Sequence, residues 1–192
     1  MSAIEDLSRI MPPHDGAGDE IDWDRAERTW GVAFPADYRE FVGAYGEGVI
    51  EDFLALLIPY SSRFNHDHYG MAYETGNARE AWRATRAGEE PQGVERSSLI
   101  AWGVDSGADI LCWGAVSPDP NEWPVVVYRR QGRDPWRVYR CGMVEFLLKT
   151  IRGDLEGCPL SGDDIWECDN PRFLHWREEA RIVEAGEIPW LY

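Results

Sequence analysis

The chain has 192 residues and a mass of 21.9 kDa, with 44% hydrophobic and 28% charged residues, a formal net charge of −16 and a pI near 4.6. This is the composition of a globular chain that buries a core without metal or disulfide, and it excludes disorder as the main character. The longest apolar run, Phe53-Leu54-Ala55-Leu56-Leu57-Ile58, falls far short of the roughly 20 residues of a membrane-spanning helix, and the acidic surface repels a polyphosphate, so neither a membrane span nor direct binding of nucleic acid is expected.

A short N-terminal helix is separated by the irregular stretch Pro12–Glu20 from a helical pattern beginning at Asp22, where Trp23, Ala26 and Trp30 recur at i, i+3, i+7 and Gly31 occupies the place of a left-handed cap. Pro35 suits the start of the next helix, and Tyr38, Phe41, Val42 and Tyr45 give it an apolar stripe. Gly46 and Gly48 stop that helix in a turn, leading into one or two buried strands over Val49–Ile58. After a polar loop at 60–70, Ala78, Ala81, Trp82 and Thr85 mark a third amphipathic helix ending near Gly88.

The period then changes to that of strands. Residues 98–103 and 109–114 flank the turn 104–108, and residues 125–129 and 136–139 flank the turn 131–135, which predicts two antiparallel pairs. Trp102 and Trp113 are placed to pack across the first pair. Val144, Leu147, Leu148 and Ile151 return to the helical period before Gly153, and the tail from Phe173-Leu174-His175-Trp176 through Ala185 is expected to be helical. The plan is α+β: one domain over 1–192, with a central antiparallel sheet of about five or six strands and helices from both ends packed around it.

Charge is unevenly spread. Residues 1–60 hold 4 basic and 13 acidic groups, 61–150 hold 11 and 12, and 151–192 hold 4 and 10. The first residues carry neither the basic patch nor the apolar stretch of a secretory signal, so a cytoplasmic protein is expected. Cys112, Cys141, Cys158 and Cys168 show no Cys-x-x-Cys spacing and read as reduced packing residues or inert thiols. His66 and His68, with Asp67 between them, are the best metal candidate, although a polar loop explains them as well; His14 and His175 stand alone. The neighbouring carboxylates Glu51-Asp52 and Asp163-Asp164 point apart in extended chain and suit a solvated surface better than acid–base chemistry. Asp105 and Asp109 bracket a turn and read as its caps. Trp123 and Trp190, each beside a proline, are expected to be partly exposed.

The succession Trp30-Gly31, then Phe34-Pro35-Ala36-Asp37-Tyr38-Arg39-Glu40-Phe41, then Trp102-Gly103-Val104-Asp105 with Trp113, then Asn121-Glu122-Trp123-Pro124 and a closing Val144-Glu145-Phe146-Leu147 helix resembles the SUKH superfamily over about residues 22–152. The chain departs from that pattern at Ala44-Tyr45-Gly46-Glu47-Gly48 and in its acidic extension over 153–192. The resemblance implies an α+β domain that acts most often as a bacterial immunity protein binding and neutralising a toxin domain; fungal relatives regulate cell-wall assembly. It also assigns a structural role to Trp30, Gly31, Pro35, Tyr38, Phe41, Trp102, Gly103, Trp113, Trp123 and Pro124.

The reading is therefore a binding protein with no cofactor and no catalytic residue, whose partner is a basic toxin domain of nuclease type, blocked by stoichiometric occlusion. Its partner surface is expected on an acidic, turn-rich rim built from Glu47, Glu51, Asp52, Asp105, Asp109, Asp119 and Glu122. Two alternatives stand beside it: a regulatory or scaffold module for an endogenous protein, and a metal-dependent hydrolase using His66, Asp67 and His68.

Overall fold

The computed structural model of the protein describes residues 2–60 and 69–191. Helix α1 (Ala3–Ile10) follows Ser2, whose backbone N–H donates to Glu5 Oε2 at 2.9 Å. Helix α2 (Trp23–Trp30) starts on Asp22, whose carboxylate accepts from Arg25 N, and stops on Gly31 at φ 72°. Helix α3 (Ala36–Ala44) begins after Pro35 and turns Tyr38, Phe41 and Val42 inward. Two short strands follow, β1 (Gly48–Ile50) and β2 (Leu54–Leu56), so the apolar run at 49–58 is a hairpin. Helix α4 (Met71–Ala84) begins about two turns before the pattern that announced it. Strands β3 (Leu99–Asp105), β4 (Ile110–Gly114), β5 (Val125–Tyr128) and β6 (Trp136–Tyr139) form the expected meander, and helix α5 (Met143–Arg152) ends on Gly153 at φ 71°.

The tail corrects the sequence expectation. Phe173–His175 is not helical but a strand, β7, and helix α6 (Trp176–Glu184) begins only after it. β7 pairs antiparallel with β1, giving a sheet of seven strands in the order β6-β5-β4-β3-β2-β1-β7, more than the five or six expected. The acidic extension therefore supplies an edge of the central sheet.

Side chains alternate across this sheet. Ile100, Trp102, Leu111, Trp113, Val125 and Val127 join the larger core under α1, α2, α3 and α5, whereas Leu99, Ala101, Ile110, Cys112 and Val126 join a smaller core with Ala78 of α4. Cover on both faces explains why β3, β4 and β5 are near-continuous apolar runs. The β3–β4 register slips between Ala101 and Gly103, a bulge that leaves Trp102 across from no partner and lets its ring lie 6.2 Å from that of Trp113.

Candidate functional site

In an antiparallel meander, successive turns fall at opposite ends of the sheet. Glu51 and Asp52 in the β1–β2 turn and Asp105 and Asp109 in the β3–β4 turn lie at one end, where Ser106 N donates to Phe53 O at 2.9 Å. Asp119 and Glu122 belong to the β4–β5 connection at the other end. Glu47 precedes β1, with β2 and β3 between it and β4. The seven acidic residues thus do not form one rim.

Burial divides them further. Glu47, Asp105 and Asp109 are 1%, 6% and 0% exposed, so they present almost no surface, unlike the open rim expected from sequence. Asp109 Oδ1 accepts from Arg130 N at 2.8 Å and from Ser161 Oγ at 2.9 Å, while Oδ2 accepts from Ser161 N at 2.6 Å. It pins three chain segments together, a larger duty than capping its own turn. Asp105 Oδ1 does accept from Asp109 N at 2.8 Å as a turn cap. Burial, reinforced by the Asp109 and Asp164 carboxylates, pushes the Asp105 carboxyl up to about 6. Glu51, half-buried, accepts from Arg172 N, and Asp52 is exposed; both have left-handed backbones, at φ 51° and 52°, at the centre of the turn that Phe53 N closes on Ile50 O.

Asp119 and Glu122 stand at the edge of a concave surface. Asp119 accepts from Asn121 N at 2.9 Å and so holds the 3-10 turn Pro120–Glu122, and Ser117 Oγ donates to Glu122 Oε2 at 2.7 Å. Asn121 Oδ1 in turn accepts from Ala36 N, the start of α3, at 2.9 Å. Asp37 of α3 accepts from Val144 N, in the first turn of α5, at 3.0 Å. Three segments distant in sequence are thereby locked end to end, and two clefts of about 360 Å³ each open where they meet. Both clefts are lined by Asn121, Trp123, Gly142 and Glu145. The exposed carboxylates here are Glu40, Asp119, Glu122 and Glu145; Arg140 is the exposed cation in the lining, and Glu145 pairs with Lys149 at 2.7 Å.

Trp123 is buried beneath this surface, with Nε1 donating to Ser117 O at 2.8 Å, which corrects the expectation of partial exposure; Trp190 is partly exposed as expected. Rings continue inward from it: Trp113 lies 6.4 Å from Trp123, Tyr38 4.8 Å from Trp113 and Phe34 5.8 Å from Tyr38, with the Tyr38 hydroxyl donating to Leu57 O. Trp113 and Trp123 line the clefts, and the rings behind them pack the core on which the clefts rest.

Among the described residues no group of three His, Cys, Asp or Glu side chains is arranged to hold a metal ion, and His66, Asp67 and His68 lie outside the described residues. The Cys141 thiol, which borders one cleft, is pushed up to about 11 by burial and the nearby Glu145, so it stays protonated.

His14 and His175 do not stand alone. His175, fully buried, donates from Nε2 to Asp19 Oδ2 at 3.0 Å, accepts at Nδ1 from Arg177 N at 3.1 Å, and gives its own backbone N–H to His14 Nε2 at 3.1 Å. Asp19 also accepts from Glu47 N and from Arg177. Burial alone would raise the Asp19 carboxyl, but these hydrogen bonds outweigh it and bring it down to about 2. Neither this clasp nor Gly142 and Glu145 of the clefts was legible, because their partners are far away in sequence and leave no local period.

The fold and this surface define a helix-flanked antiparallel meander with exposed carboxylates at the edge of two clefts. The family described as SMI1 / KNR4 family (SUKH-1) matches residues 18–149, and the chain belongs to that family. This range is close to the 22–152 over which the sequence motifs run. Neither a curated protein nor a solved structure matches the chain. Membership is consistent with a protein-binding module.

Proposed function

We propose that this protein is a non-catalytic, cytoplasmic immunity protein that binds a basic toxin domain of nuclease type and neutralises it by stoichiometric occlusion. The observation that carries this reading is the cluster of exposed carboxylates, Glu40, Asp119, Glu122 and Glu145, around clefts held rigid by the Asn121 and Asp37 hydrogen bonds. A nuclease must present cations to phosphate, and an acidic surface of fixed shape competes for those cations while steering the encounter. Of the rim expected from sequence, Asp119 and Glu122 belong to this surface, joined by Glu40 and Glu145.

The test is capture of partners from lysate of the source organism at low salt and again at about 0.5 M, where charge attraction is heavily screened. Retention of a single basic toxin-like protein at both salts, followed by loss of its toxicity on mixing, is the expected result. The triple reversal Asp119→Lys, Glu122→Lys, Glu145→Lys is expected to weaken that binding by about a hundredfold, since juxtaposed like charges cost several kcal/mol. Diffuse binding that disappears with salt, or full binding by the triple variant, overturns the proposal.

A further inference from the structure

Helix α6 carries Trp176, Ala180 and Val183 at i, i+4 and i+7, a stripe of the kind that normally faces a core. No residue of the helix is buried. The stripe instead emerges from the body: Trp176 and Ala180 are half-covered, and Val183 is 57% exposed. The helix closes with Gly186 N donating to Val183 O and Glu187 N donating to Ile182 O, with Gly186 at φ 79°, a complete Schellman turn. The chain beyond continues the apolar character with Ile188 at 59% and Leu191 at 63% exposure. Val183, Ile188 and Leu191 are the three most exposed large apolar side chains among the described residues.

The base of this segment is fixed. Arg177 donates to Asp19 Oδ1 and Gly18 O, both at 2.8 Å, and Trp176 N donates to Glu47 O. The same contacts determine its charge. Arg177 is neutralised by Asp19 and Arg181 by Glu178, whereas the exposed Glu184 and Glu187 flank the apolar positions. We infer that α6 and residues 185–191 form a second docking ridge, for a protein partner that presents an apolar stripe flanked by Arg or Lys. Charge argues against a second copy of this chain as the occupant: the whole molecule carries −16, and pairing two such ridges would bring Glu184 and Glu187 against their own equivalents. The ridge lies outside the family match and does not depend on the toxin reading.

A synthetic amphipathic helical peptide of leucine and lysine serves as probe, with polylysine as the charge-only control, each titrated into the isotope-labelled full-length protein. Amide shifts confined to 176–191 that survive about 0.5 M salt are expected for the amphipathic peptide, and no confined site for polylysine. The triple variant Val183→Ser, Ile188→Ser, Leu191→Ser is expected to bind the peptide about tenfold more weakly with an unchanged thermal midpoint, because its substitutions are at exposed positions. Shifts spread over the whole acidic surface, or equal binding by the triple variant, overturn the inference. So does a dimer in sedimentation equilibrium that the triple variant dissolves, which would assign the ridge to a second copy.

Discussion

Asp105 and Asp109 begin and end one turn, yet their side chains meet different surroundings. Asp109 meets three donors, whereas Asp105 accepts from the backbone of its own turn, at Asp109 and Gly107, and faces the carboxylates of Asp109 and Asp164. With its carboxyl raised from 3.8 to about 6, Asp105 holds a proton more tightly in the folded chain than in the unfolded one. Its contribution to stability is therefore full below about pH 4 and is lost as pH rises through about 6. Asp105→Asn keeps an oxygen for the Asp109 N–H and cannot ionise. It is expected to raise the thermal midpoint relative to the parent at about pH 8 and to leave it unchanged near pH 4, as paired melting curves at the two pH values would show. The turn role of Asp105 was legible from its spacing to Asp109; its burial was not, because distant segments such as the one carrying Asp164 are brought in beside it.

The expectation of a continuous helix from Phe173 failed on β7, a strand of three residues. That is too few for a period of two to show, and Phe173 and Trp176, at i and i+3, read equally well in a helical pattern. What makes it a strand is the open edge of β1, whose backbone groups need partners, together with Gly48 opposite His175. A Cβ on Gly48 would run into Leu174 O and the Phe173 ring, so only glycine lets the two backbones approach. Gly48→Ala is expected to push β7 off the sheet, accelerating amide exchange at Phe173–His175 well beyond that at β3 and β4 and costing about 2 kcal/mol of stability. Exchange at β7 unchanged from the parent would show that the strand is held by the His175 and Asp19 clasp alone. The longer elements were easier to read: α5 announced itself through Val144, Leu147, Leu148, Ile151 and Gly153, since ten residues allow the helical period to repeat.

For the molecule as a whole, a charge of −16 on 192 residues means that the compact state works against its own repulsion, most of it at the two ends of the sequence. Raising sodium chloride from about 20 mM to about 0.5 M should screen that repulsion and lift the thermal midpoint by about 3 °C, read by calorimetry. A midpoint that falls instead would mean that ion pairs such as that of Asp19 with Arg177 outweigh the net charge. Composition, apolar period and turn residues by themselves determined an α+β chain with a long antiparallel meander, a core rich in aromatic residues and an acidic surface, because each of these depends on neighbours within a few positions along the chain. The family resemblance was carried partly by residues that are core, among them Phe34, Tyr38, Phe41, Trp102 and Trp113, and partly by exposed ones such as Gly31, Glu40 and Asn121. Which carboxylates face outward, how Asn121, Asp37 and Gly142 shape the clefts, and how the tail closes the sheet edge were decided only by tertiary structure. Those features rest on contacts between distant segments, such as Asn121 with Ala36, 85 positions apart, and Arg177 with Asp19, 158 positions apart, and a pairing at that range is set by the geometry of the packed sheet rather than by any local pattern.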